Sequence, residues 1–87
     1  MIFKKTRDDD GVDTLTVVSE NLTDASILTG YAMGIDYFGE ENIIVDKQTV
    51  NDKVALVIKP TSAKHNLRVV VCEVMIKWSV DYMDKMD

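Results

Sequence analysis

From Val70 to Tyr82 the chain alternates in hydropathy. Even positions read Val70, Cys72, Val74, Ile76, Trp78, Val80 and Tyr82, while odd positions from 73 read Glu73, Met75, Lys77, Ser79 and Asp81. Successive side chains of an extended strand point to opposite faces, so this period of two predicts one long β-strand, about 67–80, with a tail running on to Asp87. A helix would carry the same apolar set all round its circumference. Near Val69–Val71 both faces are apolar, which suits a central position in a sheet. A strand of that length spans about 47 Å, against about 20 Å for a six-residue neighbour. Half of it would outrun its cover, leaving Trp78, Val80 and Tyr82 on one bare face. The expectation is self-association there, as a homodimer, because an exposed apolar row with open backbone groups invites pairing. The alternative is that the strand breaks near Lys77 and "WSVDYMDKM" forms a short helix or a folded-back tail.

Upstream the signals are shorter. "IFKKTR" and "TLTVVS" flank "DDDGVD", whose Asp10-Gly11 pair predicts a type I′ hairpin between strands of about 2–7 and 13–19. Aligned on Gly11 as a calcium loop, the aspartate run would put Thr6 at the first ligand position and Val17 where the bidentate glutamate must sit, so a solvated turn is expected. Ile27, Leu28, Tyr31, Ile35 and Phe38 recur at helical spacing. They predict a helix over about 24–37, with Thr23 as N-cap, Leu22 and Ile27 as a hydrophobic staple, and Gly39 as the left-handed C-terminal stop. "NIIVDKQTV" and "KVALVIK" read as strands of about 42–47 and 53–59, turned at "TVND" and stopped by Pro60.

Three of the four glycines fall in "TGYAMGIDYFGEE". A phosphate-cradling loop would need G-x-x-x-x-G-K-[ST], or G-x-G-x-x-G after a strand. Here no Lys-Ser/Thr follows, and Asp36, Glu40 and Glu41 would repel an anion. Ser26, Gly30 and Gly34 form one strip of a helix, and each interior glycine costs ~1 kcal/mol against alanine. Close approach of the strip to a sheet or a partner helix is the expected reason.

The predicted order is ββαβββ over one domain, residues 1–87. It describes an α+β two-layer sandwich in which one helix crosses an antiparallel or mixed sheet of about five strands. The net charge of −5 is unevenly laid out: +3 over residues 1–7, −10 over 8–46, +4 over 47–77 and −2 over 78–87. An acidic face and a basic face are expected. The acidic balance and the lack of a basic stripe interleaved with aromatics argue against nucleic acid as partner. The acidic stretch is itself a weak match to a mimic of a phosphate backbone. No apolar run of ~18 residues or signal peptide is present, "NLT" at Asn21–Thr23 has no secretory context, and a reducing cytoplasm is the expected setting.

Catalytic signals are few. The single cysteine, Cys72, points with Val70 and Val74 and is expected to be buried, and His65 is the only histidine. No metal set, cofactor motif or enzyme activity is expected. The one anion-binding candidate is the loop "KPTSAKHNLR", where Lys59, Lys64, His65 and Arg68 fall within ten residues. The leading expectation is a small non-enzymatic binding or inhibitory protein that works through protein contacts. Its size suits the accessory proteins that phages and mobile elements encode. The alternative is capture of an anionic small molecule, such as a nucleotide, by the 59–68 loop, whose default reading is an ordinary polar surface.

Overall fold

The computed structural model describes residues 1–86. The elements are β1 (Ile2–Arg7), β2 (Asp13–Val18), α1 (Leu22–Phe38), β3 (Ile43–Val50), β4 (Lys53–Pro60), a 3-10 turn (Ala63–His65) and α2 (Asn66–Met86). The strands form one antiparallel sheet in the order β1-β2-β4-β3. Both helices pack on the same face, α1 over β3 and β4, α2 over β2 and β4. The α+β class and the two layers hold, and the order is ββαββα.

The expected fifth strand is therefore a helix. Four strands spaced ~4.8 Å apart make a sheet some 14–19 Å wide, whereas one helix is ~10 Å across. A single helix leaves half of such a sheet bare. α2 fills that half with Val69, Cys72 and Ile76, which recur at i, i+3 and i+7 and are buried. The apolar residues between them, which completed the period of two, point away from the sheet. The predicted alternation was two helical stripes read together.

The core lies between the layers. Leu15 and Val17 of β2, Leu56 and Ile58 of β4, Leu28 of α1, and Val69 and Ile76 of α2 are all wholly buried. Only one parity of each central strand faces inward. The other carries Thr14, Thr16, Val18, Ala55 and Val57 onto an open sheet face.

The turns refine the sequence reading. In the first hairpin Gly11 N–H donates to Asp8 O at 3.0 Å and Asp8 N–H to Val12 O at 3.1 Å. With Gly11 at φ 79°, this is a three-residue loop ending in a left-handed residue rather than a type I′ turn on Asp10-Gly11. The Asp8 carboxylate accepts from the N–H groups of Asp10 and Val12, so the aspartate run builds its own turn. The second hairpin has two central residues, Asn51 and Asp52, both at positive φ, as a type I′ turn needs.

Helix α1 starts earlier than expected. Its N-cap is Asn21, not Thr23: Asn21 Oδ1 accepts from Asp24 N–H at 2.8 Å, and Asp24 Oδ2 accepts from Glu20 N–H at 3.0 Å. With that cap Leu22 is no longer the residue before the helix; it stands in solvent, and the staple with Ile27 does not form. Gly39 ends the helix as expected, at φ 68°, its N–H donating to Ile35 O.

Candidate docking surface

Helix α2 has 21 residues and is about 31 Å long at 1.5 Å per residue. Its buried stripe, Val69-Cys72-Ile76, ends at the midpoint of the helix. A second apolar stripe runs down its outer side. Leu67, Val71, Val74, Met75, Trp78 and Tyr82 are spaced as helical neighbours, and all are exposed. Trp78 and Tyr82, 64% and 51% exposed, stack on each other with centroids 5.3 Å apart.

The sequence placed Trp78, Val80 and Tyr82 on one face of a strand. The helix keeps Trp78 and Tyr82 together, four residues apart. It turns Val80 about 200° away from Trp78, where it is half-buried. The apolar row expected on a strand is instead one side of a helix, where Leu67, Val71, Val74 and Met75 stand with Trp78 and Tyr82. The 4-3-4 spacing of Leu67, Val71, Val74 and Trp78 was the signal that could have shown this face.

A groove of about 390 Å³ runs between the two helices beside the stripe. Tyr31, Gly34, Ile35 and Phe38 form one wall and Val71, Cys72 and Met75 the other. Arg68 and Glu40 close one end as an ion pair at 3.5 Å. The walls are apolar apart from this pair and the hydroxyl and thiol of Tyr31 and Cys72. Burial pushes both of those groups above their ordinary pKa values, so each is neutral at pH 7. Cys72 is buried, as expected, and its protonated thiol is poorly suited to nucleophilic attack.

Within the described chain the glycines of α1 do not meet the close approach expected of them. A Cβ added to Gly30 or Gly34 would meet nothing within 4 Å. No element of the chain approaches closely enough to require them. Gly34 instead opens the groove wall, and Gly30 floors a shallow dip between Leu22 and Met33.

The four basic candidates do not converge on one cradle. Lys59 is an exposed residue of β4, next to inward-facing Pro60 and paired across the ladder with Ile44, so it stands on the open sheet face. Lys64 and His65 lie in the 3-10 turn, and Arg68 reaches along α2 to Glu40.

Some charges of the sequence blocks pair off in the fold. Arg7 binds Asp13 through two contacts, 2.6 and 3.1 Å, and Glu73 takes both Lys5 and Lys77, at 3.4 and 3.1 Å. Arg7 and Arg68 thus pair with acids of the 8–46 stretch, whereas Glu73 pairs with Lys77 of its own stretch and with Lys5 of the other basic one.

Among the described residues no group of three or more His, Cys, Asp or Glu side chains is placed to hold a metal ion, and no helix is long and apolar enough to cross a membrane. Compared with known proteins, the chain matches no protein-family model, no curated protein and no solved structure.

Proposed function

We propose that this protein is a non-enzymatic binding module acting through protein–protein contacts, with the outer face of α2 and the adjoining groove as its docking surface. One observation carries the reading: α2 bears two apolar stripes and the fold buries only one. Contiguous apolar patches larger than a few hundred Å² are uncommon on monomeric proteins and mark interaction sites. A paired Trp and Tyr held on a regular helix is the type of anchor that dominates binding energy at interfaces. Helical stripes of this spacing dock against a second apolar helix or groove. An accessory or inhibitory role fits a chain of this size whose largest feature is such a face.

Anionic small-molecule capture through Lys59, Lys64, His65 and Arg68 is the second reading. Its support is the closeness of Lys64, His65 and Arg68 along the chain. Against it, Arg68 is engaged by Glu40, and Lys59 stands on the other layer.

Native mass spectrometry of protein purified gently from cell extract separates the two. A complex with another polypeptide, lost in the Trp78→Ser/Tyr82→Ser variant while the fold is kept, is the expected result. Retained mass in the nucleotide range, abolished by Lys64→Ala/Arg68→Ala, would transfer the function to the basic loop. Polypeptide complexes that survive unchanged in the Trp78/Tyr82 variant would overturn the α2 reading.

A further inference from the structure

We propose that the occupant of the outer α2 stripe is a second copy of this chain, the two α2 helices packing antiparallel about a two-fold axis near Val74 and Met75. The inference rests on the reading of α2 as the docking face and names what docks there.

The stripe is self-complementary in size. Its first half carries the aliphatic residues Leu67, Val71 and Val74, and its second half the larger Met75, Trp78 and Tyr82. An antiparallel pairing centred between residues 74 and 75 sets Leu67 against the partner's Tyr82, Val71 against the partner's Trp78, and Val74 against the partner's Met75. Each layer then joins one small and one large side chain. A parallel pairing would stack the Trp and Tyr rings of both copies at one end and leave the other end thin.

The area is also right. Covering these six side chains would bury on the order of 700 Å² per copy, close to the ~800 Å² per partner of a standard-size interface.

Charge favours the same orientation. Lys64 lies in the 3-10 turn that leads into α2 and Arg68, which also pairs with Glu40, in its first turn, while Asp81 and Asp84 outnumber Lys85 at its far end. Antiparallel packing brings the basic end of each helix beside the acidic end of the other and opposes the two helix dipoles. A two-fold axis uses one patch twice and closes, which is the commonest arrangement of soluble oligomers.

The groove then gains a function. Val71 and Met75 belong both to the stripe and to the groove wall. The partner's Trp78, opposite Val71, lies at the mouth of a cleft large enough for an indole ring. The groove is complete only in the dimer.

Disulfide trapping tests the arrangement, because the one native cysteine is buried. Val74→Cys sits next to the axis and should link two copies on mild oxidation, while the wild type and Gln48→Cys, on the free edge of β3, stay unlinked. Leu67→Cys mixed with Tyr82→Cys should give a mixed dimer that neither variant forms alone. Native mass spectrometry runs alongside. A chain that stays monomeric at its highest soluble concentration overturns the second copy as occupant, and leaves the docking face to be judged by the Trp78/Tyr82 variant against other proteins. A dimer that links through Gln48→Cys and not Val74→Cys overturns both the occupant and the face. Self-linking of Leu67→Cys alone would make the helices parallel and overturn the geometry.

Discussion

The indole of Trp78 stacks on the phenol ring of Tyr82, one turn further along α2, with the ring planes inclined by only 21°. Both rings remain more than half exposed, so the pair contributes little to the fold itself. Exposed substitutions usually change stability by no more than about 0.5 kcal/mol, whereas a central Trp or Tyr at an interface is worth ~2 kcal/mol or more. The Trp78→Ser/Tyr82→Ser variant is expected to melt within a few degrees of the wild type once both are compared as monomers, and to self-associate at least tenfold more weakly. Circular dichroism and sedimentation equilibrium read the two quantities separately.

The helical glycines should respond to alanine in opposite ways. Gly30→Ala and Gly34→Ala each add a methyl into open space within a helix and are expected to raise unfolding free energy by ~0.5–1 kcal/mol. Gly39→Ala places a Cβ at φ 68° and should lower it by ~1 kcal/mol. Urea titration of the three variants checks the signs, which would all be negative if the glycines served close packing inside the fold.

Asn66 ties α2 to the first hairpin. Its Nδ2 donates to Gly11 O at 2.8 Å and its Oδ1 accepts from Asp13 N–H at 3.0 Å. Asn66→Ala leaves both backbone groups without that partner and is expected to cost ~1–3 kcal/mol. Hydrogen exchange should quicken first at the Asp13 amide, which distinguishes loss of the tether from general destabilisation.

Acid should weaken the fold through two carboxylates. Arg7 holds Asp13 below its ordinary 3.8, and Lys77, aided by Lys5, holds Glu73 below 4.5. A carboxylate with a lowered folded-state pKa contributes stability that is present above the unfolded pKa and lost as pH falls through the folded one. Melting temperature should therefore hold down to about pH 4.5 and fall below it. In Arg7→Gln the acid limb is expected to be shallower, because Asp13 then titrates nearer its unfolded value. An acid limb identical to the wild type's would show that the Arg7–Asp13 pair is not formed in solution.

Elements fixed by local chemistry were legible in the sequence. Gly39 stops α1 because only a left-handed residue closes the helix there. The strands of both hairpins follow from alternating residues bounded by turn formers. Burial of Cys72 was also legible, since it faces inward under either assignment of its segment. Two of the six residues of the outer α2 stripe could be named, Trp78 and Tyr82, because residues four apart stay together on a helix as they do on one face of a strand. Val80 separates from them because two residues is a full period of a strand but about 200° of a helix.

What the sequence left undetermined was the state of residues 66–86. Two apolar stripes on one helix, one inward and one outward, interleave into a period of two, so local pattern alone does not choose between strand and helix. The sheet makes the choice. α1 covers β3 and β4, and the side left bare towards β2 needs an apolar rod about 10 Å wide, which a helix supplies and a further edge strand does not. Local pattern alone set the strands of the hairpins, the C-terminal end of α1 and a surplus of apolar residues at the C-terminal end. That the surplus lies on the outside of a helix follows from packing across the whole chain, because the unfilled face of the sheet dictates which stripe must turn inward.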